Sequence, residues 1–237
     1  MTEVAVGTVF NAALFGKLMA WGWYENPKLR EQGLAILGRD KHSCQSCGFQ
    51  SRPSKQVPHG FMLPIDQKNP ALVAMEASAG KCLCPLCASV LGINWSVVGT
   101  VLGGQIVEAP GMLIIQPGMS QVEINRLALH TISIMSSSAT SASSPLASAA
   151  RDIDAAMTAL NQDVGASIPF YRGKDSDFAR ALALLPEPFY QHRDEIIGHL
   201  RWWPNVRYWR QHGLYWMQAT YKQLHDDDKG LNEVLAQ

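Results

Sequence analysis

The sequence predicts an α+β protein that is rich in helix, with a small cysteine-based metal module and a helical C-terminal part. Three observations lead to this fold class. Apolar residues recur at helical spacing near both ends of the chain, two Cys-x-x-Cys pairs lie within residues 40–90, and short turn-bounded apolar runs follow the second pair. With 237 residues, 47% of them hydrophobic, the chain is long enough to bury a substantial core.

The residues before the first cysteine pair predict two helices. Phe10, Leu14, Leu18 and Trp21 have near-helical spacing, which is typical of an amphipathic helix. Proline is favoured in the first turn of a helix, so Pro27 predicts the start of a second helix that runs towards the cysteines.

Short strands and one well-marked helix are predicted after the second cysteine pair. Two adjacent glycines predict a hairpin over Val97–Val107, and Met112–Ile115 predicts a further strand. Ser120 and Glu123 have the spacing of a capping box, in which each side chain accepts a hydrogen bond from a backbone amide at the helix start. We therefore expect a helix to begin there.

A stretch of small polar residues divides the chain into three predicted parts. Residues 1–135 hold the N-terminal helices, the metal module, the hairpin and the capped helix, 136–150 form a Ser/Ala-rich connection, and 151–237 form a C-terminal region. In that last region the sequence predicts helices only, over Asp177–Leu185, over Phe189–Arg201 and from Pro204 onwards.

The charge balance argues for a protein partner and against nucleic acid. Lys+Arg and Asp+Glu both number 20, so the formal net charge is zero and the basic excess typical of nucleic-acid binding is absent. A net charge near zero also favours association, which fits a permanent partner.

The sequence favours a cytoplasmic protein without direct membrane insertion. Met1–Gly7 carries an acidic residue and no basic one, unlike a secretory signal. The uncharged stretch Cys82–Val107 contains too many glycines and polar residues for a spanning helix, which needs about 20 predominantly apolar residues.

The two cysteine pairs predict one structural zinc ion. Residues 48–83 separate the pair Cys44 and Cys47 from the pair Cys84 and Cys87, and each two-residue gap lets both thiolates of a tight turn face one ion. Four sulfur ligands leave no coordination position for water, so the ion would be structural. Redox-active cysteines or an iron centre are the alternatives, and Cys82 is either a packed neighbour or a competitor for Cys84.

The stretch Leu37–Gly48 resembles the opening of HNH-type zinc modules, in which a helix and an Arg-Asp pair precede the first cysteine turn. The Cys-x-x-Cys turn itself also resembles the metal-binding turns of rubredoxin. In active HNH nucleases, further histidines hold a catalytic metal that activates water. His59 is the only histidine between Cys47 and Cys87, and one imidazole cannot build that site. We therefore expect a degenerate, non-enzymatic module; a metal-dependent nuclease and a zinc nucleic-acid-binding module are the alternatives.

The same residues with their surroundings resemble the IcmJ/DotN family of type IVB (Dot/Icm) secretion systems. The resemblance lies in the stretch Arg39–Gln50, in Cys82–Cys87, in Gly111–Ile115 followed by the Ser-Gln-Val-Glu start of the next helix, and in Leu200–Pro204 with the arginines after it. It is most specific over residues 36–130, whereas the first 25 residues and the tail depart from the family pattern.

The resemblance implies a zinc-containing subunit of the type IV coupling complex. Such a subunit lies in the cytoplasm, associated with the inner-membrane secretion complex. It binds the cytoplasmic tail of the coupling ATPase and other coupling-complex subunits, and helps to present protein substrates or relaxase-bound DNA for export.

Tryptophans are concentrated near the C-terminus. Trp202, Trp209 and Trp216 fall near one face of the predicted helices. Three interpretations remain: packing in the core, a docking face for a partner, because Trp and Arg dominate interface hot spots, and stacking of single-stranded nucleic acid.

Overall fold

The computed structural model describes residues 3–95, 101–102, 105–106, 109–137, 144–168, 171 and 173–221. Its helices are α1 (Ala12–Met19), α2 (Pro27–Arg39), α3 (Pro85–Leu91), α4 (Gln121–Ser136), α5 (Pro145–Ala159), α6 (Val164–Ser167), α7 (Asp175–Ala183), α8 (Glu187–Gln191), α9 (Arg193–Ile197) and α10 (Arg210–Ala219). Its strands are β1 (Leu63–Asp66), β2 (Gly80–Leu83), β3 (Val101–Leu102), β4 (Gln105–Ile106), β5 (Gly111–Ile115) and β6 (Leu200–Pro204). The predicted helix-rich α+β class is confirmed.

Two helices next to the metal module, α2 and α4, begin where the sequence predicts them. Pro27 opens α2, and the Asn26 side chain accepts hydrogen bonds from the amides of Lys28 and Leu29 at 3.0 and 3.2 Å. The capping box before α4 is complete, because Ser120 Oγ accepts from the Glu123 amide while the Glu123 carboxylate accepts from the Ser120 amide at 2.7 Å. These bonds satisfy amides that have no partner inside the helix.

The strands form three two-stranded antiparallel sheets. β1 pairs with β2, β3 with β4, and β5 with β6. The β3–β4 pair confirms the centre of the predicted hairpin, whereas its residues 97–100, 103–104 and 107 lie outside the described part of the chain. β5 confirms the strand predicted at Met112–Ile115.

The prediction that only helices follow residue 150 is wrong at Leu200–Pro204, which form β6. The predicted helix Phe189–Arg201 is divided into α8 and α9 and ends before β6. A short apolar run fits a buried strand as well as a helix, and here β5 supplies the pairing partner. The last helix starts at Arg210, because the residues after Pro204 form a turn in which Asn205 Oδ1 accepts from the Arg207 amide at 3.0 Å.

The β5–β6 sheet joins the first and third of the predicted parts. Gly111 pairs with Pro204 and Ile115 pairs with Leu200, so a strand near the metal module is completed by the C-terminal region. α4 packs against both α5 and α10, which brings further C-terminal residues onto the same helix. Within the connection 136–150, residues 138–143 lie outside the described residues, and Pro145 already begins α5.

The C-terminal tryptophans lie in the core. Trp202 and Trp209 are 1% exposed, and Trp203 and Trp216 are 0% exposed. The Trp209 indole donates to the carbonyl of Pro110 at 2.8 Å, whereas the Trp216 ring packs edge-on against Phe49 beside the first cysteine pair. The packing interpretation accounts for this placement, and none of Trp202, Trp209 and Trp216 presents its indole at the surface for a docking face.

Within the described ranges, none of the helices is long and apolar enough to cross a bilayer.

Gly213 lies at the closest approach of α10 to α4. A Cβ at this position would lie 2.7 Å from the carbonyl oxygen of Ile132 and 2.5 Å from Ser136 Oγ. We expect Gly213→Ala to lower the free energy of unfolding by about 1–3 kcal/mol, because the helices would have to separate. Gly16→Ala is the matched control, since nothing lies within 4 Å of its Cβ and alanine is the better helix former by up to about 1 kcal/mol. Urea unfolding followed by circular dichroism measures both changes, and equal effects would contradict the packing described here.

Candidate metal centre

The first cysteine pair lies in a tight turn directly after α2. Cys44 donates its amide to the carbonyl of Phe49 at 2.8 Å, and Gly48 donates to the carbonyl of Cys44 at 2.9 Å. Gly48 has φ of 79°, a left-handed conformation that glycine adopts without steric cost. Within this turn the Cys47 amide points at Cys44 Sγ, 3.5 Å away.

The second cysteine pair is built on a helix start. Cys84 is the N-cap of α3, Pro85 follows it, and the Cys87 amide donates to Cys84 Sγ at 3.4 Å. An amide-to-sulfur bond therefore recurs in both pairs, with the same spacing of three residues. Such bonds stabilise negative charge on sulfur, as a bound metal requires.

The four sulfurs converge on one point. The Sγ atoms of Cys44, Cys47, Cys84 and Cys87 all lie within 4.8 Å of one another, and Cys47 Sγ is 3.7 Å from Cys84 Sγ. A zinc tetrahedron with Zn–S bonds of about 2.3 Å has sulfur–sulfur edges of about 3.8 Å. The four residues are at most 3% exposed. The arrangement can therefore hold one metal ion and is compatible with a single zinc.

The protonation of the thiols indicates that this cluster needs a cation. Burial raises the pKa of Cys44, but hydrogen bonds from the other three thiols outweigh it and bring that pKa well below its ordinary value. Burial, with hydrogen bonds to the neighbouring sulfurs, raises the pKa of Cys84 well above its ordinary value. Hydrogen bonds to Cys44 and Cys47, with a smaller contribution from burial, do the same for the pKa of Cys87. Without a metal ion the thiols of Cys84 and Cys87 therefore favour the protonated form, whereas four-sulfur coordination requires all four thiols to lose their protons.

A buried amide network connects the site to the C-terminal strand. Asn125 Nδ2 donates to Cys87 Sγ at 3.2 Å, and Asn125 Oδ1 accepts from Gln121 Nε2 at 2.9 Å. Gln121 also bonds both backbone groups of Trp202 in β6, donating at 2.9 Å and accepting at 2.8 Å. Asn125 and Gln121 are 0% and 2% exposed. Neither residue was predicted from the sequence to be part of the site. Two polar side chains four residues apart on the apolar face of α4 were the signal that could have indicated a buried polar contact.

The Arg-Asp pair of the motif fixes β2, the strand that precedes the second cysteine pair, to the end of α2. Arg39 pairs with Asp40 at 2.7 Å and donates to the carbonyl of Gly80 at 2.7 Å, while Asp40 accepts from the Cys82 amide at 2.8 Å. The Cys82 carbonyl in turn accepts from the Gln45 amide, inside the first cysteine turn. These bonds hold β2 and both cysteine turns together.

Cys82 lies outside the group of four convergent sulfurs. It is fully buried in β2, opposite Pro64 in β1, and burial raises the pKa of its thiol well above the ordinary value. The packed-neighbour interpretation accounts for this position.

His59 is enclosed by aromatic rings. Its ring stacks on Trp21 with centroids 5.6 Å apart, and its Nδ1 accepts from the Phe61 amide at 3.0 Å. Burial, with a smaller contribution from His42, lowers the pKa of His59 to about 4, so the ring is neutral near pH 7. In the described part of the chain, the four cysteines are the only group of three or more His, Cys, Asp or Glu side chains that could hold a metal ion.

Comparison with known proteins adds no functional assignment. No known protein family matches this chain, and no curated protein matches it.

The cysteine substitutions separate ligands from neighbours. We expect Cys87→Ser to leave less than about half an equivalent of zinc per chain and to cost several kcal/mol of stability, because metal binding contributes folding energy. Cys82→Ser is the matched control, since it places a serine at an equally buried position and should keep the metal. Metal analysis of the purified variants measures this, and loss of zinc from Cys82→Ser alone would contradict the ligand set.

A second prediction concerns the amide that contacts the sulfur. Asn125→Ala should keep the fold but speed zinc release to a chelator by about tenfold or more, the effect typical of losing a partner of a metal ligand. Asn125→Asp should release zinc faster still, because a carboxylate would face the thiolate of Cys87. Ser133→Ala is the control, since Ser133 is also buried in α4 but donates only to the carbonyl of Leu129. Release rates equal to that of the control would exclude this role for Asn125.

Proposed function

We propose that this protein is a zinc-stabilised, non-enzymatic adaptor subunit of a type IVB secretion or conjugation coupling complex. It binds the cytoplasmic tail of the coupling ATPase together with other coupling-complex subunits, and it helps to recruit protein substrates or relaxase-bound DNA. The observation that carries the proposal is the closed four-sulfur site, built from the stretches in which the sequence resembles the IcmJ/DotN family.

The sulfur ligands favour zinc as the metal. Four thiolates at tetrahedral spacing are the usual ligand set of structural zinc, and they leave no open position for water or substrate. Bound there, the ion supplies a cross-link between the turn after α2 and the start of α3. Hydrogen bonds from amides and from Asn125 to sulfur compensate part of the negative charge of the ligands.

The surroundings of His59 support a scaffold over a nuclease. A catalytic metal site needs several ligands around an ion that keeps a position open for water. His59 instead contacts Trp21, Trp23, Tyr24 and Phe61, and its pKa near 4 reflects this burial. The imidazole fills space between rings, which fits a degenerate module.

Exposed apolar side chains offer a surface for the ATPase tail. Phe10 is fully exposed and Phe189 is 60% exposed. The segments that carry them are joined, because the backbone of Thr8 exchanges two hydrogen bonds of 2.9 Å with the Tyr190 hydroxyl. Thr8 lies two residues before Phe10, and Tyr190 directly follows Phe189. Exposed aromatic side chains are the common anchors of protein interfaces.

A binding experiment tests the adaptor proposal. We expect the folded, zinc-loaded protein to bind the cytoplasmic tail of the coupling ATPase in a pull-down. Phe10→Ser and Phe189→Ser should each weaken binding by about tenfold or more, because anchor residues contribute about 2 kcal/mol. Leu72→Ser is the control, an exposed apolar residue in the loop after β1.

Circular dichroism and zinc content establish that each variant is folded. Failure of the folded wild-type protein to bind the tail would contradict the adaptor function. Binding that survives both phenylalanine substitutions would contradict only the assignment of this surface.

A further inference from the structure

A cleft of about 430 Å³ lies between the extended N-terminal residues 3–6 and the segment from α9 to β6. Two arginines line it, Arg193 at the start of α9 and Arg201 in β6. Gln121 of the buried amide network also lines the cleft, as does Leu91 at the end of α3. A volume of this size is within the range of binding sites for small ligands, about 300–1,000 Å³.

The guanidinium of Arg201 is held along one edge by backbone carbonyls. Its Nε donates to Met119 at 2.7 Å, and its Nη1 donates to Gly198 and, at 2.9 Å, to Leu200. Its second terminal nitrogen, Nη2, makes no hydrogen bond to a described residue. The group is therefore fixed in place while part of its donor capacity is unused.

Arg193 is held in a similar way. Its Nε donates to the carbonyl of Val6 at 3.1 Å, its Nη1 donates to the carbonyl of Tyr190 at 3.0 Å, and its guanidinium lies 4.5 Å from the centre of the Tyr190 ring. Its Nη2 also makes no hydrogen bond to a described residue. Each of the two arginines that line the cleft therefore has a guanidinium group that is held in place and a terminal nitrogen that donates no hydrogen bond within the described chain.

Among the described residues, no carboxylate lies within ion-pair distance of either arginine. Glu3 and Asp194 line the same cleft, but both are exposed to water, which weakens their interaction with the arginines. Burial lowers the pKa of Arg201, and these two carboxylates act in the opposite direction. A partly buried guanidinium without a close counter-ion is a favourable place for an oxyanion.

We propose that this cleft binds an oxyanion, a carboxylate or phosphate group, through Arg193 and Arg201. Guanidinium groups match such anions with parallel N–H donors, and the carbonyl bonds orient the donors before the ligand arrives. The anion belongs either to a small molecule or to an acidic side chain of a peptide. The proposal does not depend on the adaptor function.

Titrations with defined anions test the site. The probes are inorganic phosphate, succinate and an acetylated tetraglutamate peptide, each added to the full-length, zinc-loaded protein at low salt. We expect saturable binding with a Kd of about 1 mM or tighter for at least one probe. Arg193→Gln and Arg201→Gln should each weaken it by about tenfold, while Arg210→Gln, an exposed arginine of α10 outside the cleft, should not change it.

NMR of the wild-type protein gives a readout that does not depend on the variants' folding. The side-chain Nε–H signals of Arg193 and Arg201 should shift along a saturation curve that gives the same Kd as the titrations. Tighter binding of the peptide assigns the anion to a protein partner, and tighter binding of phosphate or succinate assigns it to a small molecule. Absence of saturable binding for all three probes up to about 10 mM, or equal weakening by Arg210→Gln, would overturn the proposal.

Discussion

The convergence of four cysteine sulfurs is the constraint on which the other contacts of this fold depend. Two turns separated by residues 48–83 place their thiols within 4.8 Å of one another, in a fully buried position. Four thiolates this close repel one another unless a cation neutralises them, so folding of the module and metal binding are linked. The end of α2, the strand β2 and the start of α3 all meet at this point, and the Arg39–Asp40 pair fixes β2 to the end of α2.

The C-terminal region is attached to this centre by hydrogen bonds as well as by apolar packing. Gln121 and Asn125 form a continuous path from the backbone of Trp202 to the sulfur of Cys87. A buried polar path is stable only when each of its members is satisfied, so displacement of either end leaves unpaired groups in the core. We infer that loss of the metal and detachment of β6 favour each other, since coupling between two sites is reciprocal.

The sequence predicts those parts of the structure whose cause is local. The two-residue cysteine spacing, the proline at the start of α2 and the capping box of α4 each act through neighbouring atoms, and the structure contains all three. β6 was not predictable in this way, because the apolar run Leu200–Pro204 becomes a strand only when β5 lies beside it. The burial of the C-terminal tryptophans was not predictable for the same reason. Tryptophan is common both in protein cores and at interfaces, and only the tertiary packing shows that these side chains are buried.

X-ray absorption spectroscopy at the zinc edge tests the central claim most directly, because it reports both the identity of the metal and its ligands. Purified protein should contain one zinc per chain with four sulfur neighbours at about 2.3 Å and no nitrogen or oxygen in the first shell. Substitution of Cys82 should leave that spectrum unchanged, since its sulfur lies outside the group of four. A mixed shell with nitrogen or oxygen ligands, or protein that folds fully without a metal, would contradict the account.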